Sequence, residues 1–118
     1  MNQEIVSPLD AAIATELRNG EAANEEGNLG KARVCARRAV GLAVRAYYAK
    51  SQLELDTSNA YKSILYMQKD DSVPEDVKAR LSAFSQRLAK DSPDAESYWP
   101  LDIDLLEEAR WIISRLLP

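Results

Sequence analysis

Residues 29–51 read LGKARVCARRAVGLAVRAYYAKS, and the reading of this stretch decides the fold. Ala32, Cys35, Ala36, Ala39, Val40, Leu42, Ala43, Val44, Ala46 and Tyr47 fall at helical spacing and cover more than half of a helix circumference. A helix apolar over that much of its surface belongs in the middle of a bundle. Its apolar side chains are mostly small, and Gly41 sits among them. Glycine costs about 1 kcal/mol relative to alanine in a helix interior. A close helix crossing explains that cost, because a missing Cβ lets two backbones approach. Gly41 is therefore a candidate crossing or interface position, in the core or at a dimer seam.

Outward from this helix, the flanking segments read as four more. Ser7-Pro8 predicts a helix start, a capping hydroxyl followed by proline at the first helical position, with Leu9, Ala12, Ile13 and Leu17 on one face. That helix is expected to stop before Gly27-Asn28, with Gly20 a weak point that kinks or ends it. Asp56-Thr57-Ser58-Asn59 reads as a turn and cap before a short helix from Ala60 to about Lys69. Ser72, Pro74 and Glu75 form a second cap pattern before a helix from Pro74 to about Ala89, anchored by Val77, Leu81, Phe84 and Leu88. Residues 91–100 read as a loop bracketed by Pro93 and Pro100, and Trp99 within it as a plug. A last helix runs from about Asp102 to Leu117, with Trp111 in the core. The expectation is an all-α, up-and-down antiparallel bundle of about five helices forming one domain over residues 1–118.

Length and composition agree. The chain has 118 residues, 46% hydrophobic and 29% charged, which suits a folded domain and not a disordered one. Its one cysteine, Cys35, cannot form an internal disulfide, and it reads as a buried structural thiol. The N-terminus lacks the basic-then-apolar pattern of a secretory signal, so a cytoplasmic location is expected.

Histidine is absent. That removes the usual neutral-pH general base and the commonest metal ligand, and with them Ser-His or Cys-His nucleophile pairs and histidine-bearing zinc and di-iron sites. No Gly-rich phosphate loop is present. No catalytic residue, metal or cofactor is predicted.

The net charge of −4 is unevenly spread. Residues 1–27 carry six acids and one base, whereas residues 28–50 carry six bases and no acid. Lys31, Arg38 and Arg45 are seven apart and form one exposed stripe, with Arg33 and Arg37 on a neighbouring strip. One reading pairs this edge with Glu16, Glu21 or Glu25 of the first helix. The other makes Lys31, Arg38 and Arg45, with Tyr48 and its fellow tyrosines, an anion-binding site for a nucleotide or RNA.

Gly27-Asn28-Leu29-Gly30-Lys31-Ala32-Arg33, running into Ala36-Arg37-Arg38-Ala39-Val40-Gly41-Leu42-Ala43-Val44-Arg45-Ala46, resembles the central helix of HEPN domains. Lys90-Asp91-Ser92-Pro93-Asp94, ahead of Glu108-Ala109-Arg110-Trp111-Ile112-Ile113, is similar to the Arg-Tyr-Pro loop and final helix of that family. The resemblance covers roughly residues 9–117 and implies a helical bundle that dimerises. It further implies a ribonuclease, a nucleotide binder or a partner of a small nucleotidyltransferase. The family's Arg-x(4–6)-His nuclease motif cannot exist here. Gly41 stands where a glutamate is frequent, Ser58-Asn59 where a histidine falls, and Lys-Asp-Ser-Pro replaces Arg-Tyr-Pro, while Arg45 matches the late basic position. The expected function is a non-catalytic HEPN-like bundle acting in protein–protein interaction as a homodimer. The alternative is a nucleotide- or RNA-binding module, and a ribonuclease is third.

Overall fold

Three short polar side chains open three of the helices. Asn28 accepts a hydrogen bond from the Lys31 amide at 3.1 Å, Asn59 one from the Lys62 amide at 3.2 Å, and Asp104 one from the Leu106 amide at 3.0 Å. Each satisfies an amide left unpaired at a helix start. In the computed structural model, which describes residues 8–53, 55, 59–85 and 104–118, the helices are α1 Pro8–Glu25, α2 Leu29–Ala49, α3 Ala60–Gln68, α4 Glu75–Ser85 and α5 Leu105–Leu116. The described residues contain no strand and form an all-α bundle of five helices. No described helix is long and apolar enough to cross a membrane.

Gly27 makes the α1–α2 turn. Its φ of 81° lies in the left-handed region, the Gly27 amide donates to the Asn24 carbonyl, and the Asn28 amide donates to the Ala23 carbonyl at 2.8 Å. These are the two bonds by which a glycine closes a helix C-terminus. Asn28 then caps α2 at once, so α1 folds back along α2.

Central α2 packs on α1, α3 and α5, while α4 packs chiefly on α3 and α5. The predicted enclosure of α2 thus comes from three helices. Ala36, Ala39, Val40, Ala43 and Val44 are fully buried, joined by Ile64, Met67, Leu81, Phe84, Ala109 and Ile112. Cys35 is buried as expected, 3% exposed.

Several local expectations need correction. Helix α1 runs unbroken through Gly20. A Cβ there would meet Leu106 Cδ2 at 2.8 Å and Cys35 Cβ at 3.2 Å, so Gly20 serves a close approach of α1 to α2 and α5. Ser72 does not cap α4; its amide and hydroxyl both donate to Asp70 Oδ1. Trp111 is half-buried, with the guanidinium carbons of Arg80 and Arg115 lying 4.1 and 4.9 Å from its ring centre. Cation–π contact and the flanking pairs Arg80–Glu108 and Arg115–Asp76 tie α4 to α5 there. The Ser7 cap, most of the turn at residues 56–59, the end of the fourth helix, the loop at 91–100, Trp99 and Asp102 lie outside the described residues.

Ser63 is fully buried in α3, and its hydroxyl has no hydrogen-bond partner. An unmet buried hydroxyl costs about 1–3 kcal/mol, and alanine is the better helix former. Ser63→Ala is therefore expected to stabilise the protein by about 1 kcal/mol. A raised urea midpoint with unchanged slope would show it.

Candidate functional site

One groove gathers most of the chemistry that α2 leaves exposed. It encloses about 450 Å³ and is lined by Val34, Arg37, Arg38, Gly41, Leu42 and Arg45 of α2, Asn59, Ala60 and Tyr61 at the start of α3, and Glu16 of α1. Helical spacing puts Arg38 and Arg45 on one side of α2, two turns apart, and Arg37 beside them. Val34, Leu42 and Ala60 supply apolar wall between the charges. The groove also receives the N-terminal end of α3, the positive end of its dipole.

Gly41 sets the geometry. A Cβ built there would lie 2.5 Å from Ala60 Cβ and 2.7 Å from Ala60 Cα, so the two backbones touch. The expected close crossing is real, and it is internal, between α2 and the first residue of α3. It is this contact that brings Asn59 and Tyr61 next to the arginines.

Of the acids expected to neutralise the stripe, Glu16 lines the groove and Glu21 turns to α5. Glu21 pairs with Arg110 of α5, Glu108 with Arg80, Asp76 with Arg115 and Glu75 with Lys78. None of these ion pairs among the described residues involves Lys31, Arg38 or Arg45.

Two of the four predicted ligand residues, Arg38 and Arg45, line the groove. Lys31 is exposed but lies two turns before Arg38, outside the lining. Tyr48 is removed from the site altogether. It is 6% exposed, its ring meets Tyr47 and Tyr66 edge to face, and its hydroxyl donates to Asp70 Oδ2 at 2.6 Å. Tyr48 is three residues after Arg45 in α2, but its burial and its contacts with Tyr66 and Asp70 turn it to the core. Sequence reasoning missed Arg37, Glu16 and Asn59 as groove residues. Arg37 was visible only as a member of the neighbouring strip, and nothing in the sequence places the start of α3 against Gly41.

The Tyr48–Asp70 bond has its own consequence. Burial pushes the Tyr48 hydroxyl well up, so it stays a donor. The bond from Tyr48, with those from Ser72, holds the Asp70 carboxyl below its usual range. A depressed folded-state value means this stabilisation is complete above the unfolded value, near pH 4, and fades as pH falls through the lower folded value. Tyr48→Phe is expected to lower stability at pH 7 and to flatten the loss of stability below pH 4. Urea midpoints measured from pH 7 to pH 2.5 give the comparison, and parallel curves for the two proteins would rule the coupling out.

The described residues hold no group of three or more His, Cys, Asp or Glu side chains placed to bind a metal ion. No family model, curated protein or solved structure matches this chain.

Proposed function

We propose that this protein is a non-catalytic helical-bundle module that binds a phosphate-bearing small molecule of nucleotide size in the groove between α2 and the start of α3. The observation that carries the reading is the gathering of Arg37, Arg38 and Arg45 around one groove, with no acidic partner for Arg38 or Arg45 among the described residues. Guanidinium groups match phosphate oxygens in charge and geometry. A volume of about 450 Å³ falls in the range of small-molecule sites. Tyr61 and the apolar wall suit the uncharged body of such a ligand. A net charge of −4 disfavours long nucleic acid. We propose likewise that the bundle is HEPN-like, on the central-helix residues quoted above. Self-association as a homodimer loses one feature that recommended it, since Gly41 packs on Ala60 within the chain; it and a small-nucleotidyltransferase partner then rest on the resemblance alone.

A thermal-shift screen with adenosine monophosphate, pyrophosphate and a short single-stranded RNA tests the reading. A ligand at 100 times its Kd adds about 2.7 kcal/mol of stability, so a clear rise in Tm with the nucleotide is expected at millimolar level. The RNA should bind no more tightly than the mononucleotide. No shift with any phosphate compound would remove the proposal.

A further inference from the structure

We infer that Glu16 makes this groove selective for a phosphate compound that also presents an N–H donor, and selective against a bare polyanion. The inference rests on the phosphate reading of the groove and goes beyond it, because it names what the far end of the ligand must carry.

Among the described residues, Glu16 is the one acidic side chain in a lining that holds three arginines. It comes from α1, whereas the arginines come from α2, so its place follows from helix packing and not from spacing within one helix. It is half-buried, and no ion pair among the described residues joins it to Arg38 or Arg45. Beneath it lies the buried Cys35 thiol, which burial and the adjacent Glu16 keep protonated. A thiol is a weak donor, whereas a carboxylate offers about four acceptor positions. Glu16 therefore keeps acceptor capacity facing the groove.

The groove is thus chemically polar along its length. Glu16 stands by Cys35 and Arg38, whereas Arg45 lies two helical turns further along α2. Arg38 and Arg45 are about 10 Å apart along α2, from seven residues at 1.5 Å each. A phosphate seated near Arg45 leaves the other end of the molecule beside Glu16. There an N–H gains a hydrogen bond to a carboxylate, and a second phosphate meets a like charge.

Calorimetric titration of the full chain with three probes decides the matter. The probes are adenosine monophosphate, purine riboside monophosphate, which has hydrogen in place of the amino group, and pyrophosphate. Wild type should prefer the amino compound about tenfold, the worth of one hydrogen bond to a charged group. In Glu16→Met that preference should fall to within about twofold, and pyrophosphate should bind at least about fivefold more tightly. Glu16→Gln keeps the shape of the side chain and should also tighten pyrophosphate. Equal binding of the two nucleotides by wild type, or a preference that survives Glu16→Met, would overturn the inference while leaving the phosphate reading intact. Failure of all three probes to bind would overturn both.

Discussion

Gly41→Ala destabilises this protein while Gly30→Ala, the same substitution in the same helix, stabilises it. At position 30 a Cβ meets nothing closer than Asn28 Oδ1 at 4.0 Å, and alanine brings only its better helix propensity, up to about 1 kcal/mol. At position 41 the same atom lands 2.5 Å from Ala60 Cβ and 2.7 Å from Ala60 Cα. The second contact is with backbone, so no rotamer change relieves it, and α3 must move away from α2. Overpacking of this kind costs about 1–3 kcal/mol, more than the propensity gain. Gly41→Val adds two further carbons at the same place and is expected to cost at least about 3 kcal/mol. Urea unfolding followed by circular dichroism reads all three variants. A stabilising Gly41→Ala would mean that α2 and α3 do not cross as described, and the groove would lose its α3 wall.

The largest effect on binding is expected from reversing two charges that hold no ion-pair partner among the described residues. Arg38 is exposed and Arg45 half-buried, and neither joins an ion pair among the described residues. Arg38→Glu with Arg45→Glu should therefore leave the fold within about 1 kcal/mol of wild type. Losing the guanidinium that holds the phosphate costs about 1.5–3 kcal/mol, and two carboxylates in place of two positive charges add repulsion, so the double variant should lose at least about 100-fold in affinity for adenosine monophosphate. Lys31→Glu is the control. It reverses a charge on the same stripe, but about 10 Å before Arg38 along the helix, beyond the screening length of about 8 Å at physiological salt. Its affinity should stay within about threefold of wild type. Equal losses in Lys31→Glu and the double variant would point to diffuse attraction by a basic helix and not to a site.

The fold was legible because its strongest signals are local. Small apolar residues at helical spacing from Ala32 to Tyr47 announced a central helix, and Gly27-Asn28 announced the turn that folds α1 along it. Gly20 was misread because a helix-weakening residue and a close-packing residue look alike until the neighbouring helix is known; Leu106, which fills the space, is 86 residues away. Ser72 was misread because Asp70, two residues earlier, takes the Ser72 amide that a capping box assigns to Glu75. The site was only half legible for the same reason. Arg38 and Arg45 follow from a seven-residue repeat on one helix, whereas Glu16 and Tyr61 join them through crossings set by core packing. Tyr48 lies three residues from Arg45 in sequence, yet its hydroxyl reaches Asp70 at the end of α3, on the buried side. Arginine without a counter-ion is also invisible in a sequence. Glu21 could have served Lys31 or Arg38 as well as Arg110, and only the position of α5 decides that it serves Arg110.

The most direct measurement is a titration of the isotopically labelled protein with adenosine monophosphate, followed by amide and arginine Nε–H resonances in two-dimensional NMR. Shifts should concentrate at Val34, Leu42, Asn59, Ala60 and Tyr61 and at the side chains of Arg37, Arg38 and Arg45. The α4–α5 surface around Trp111 should remain still. Saturating shifts centred on that surface instead, or no shifts at millimolar nucleotide, would contradict a phosphate site between α2 and α3.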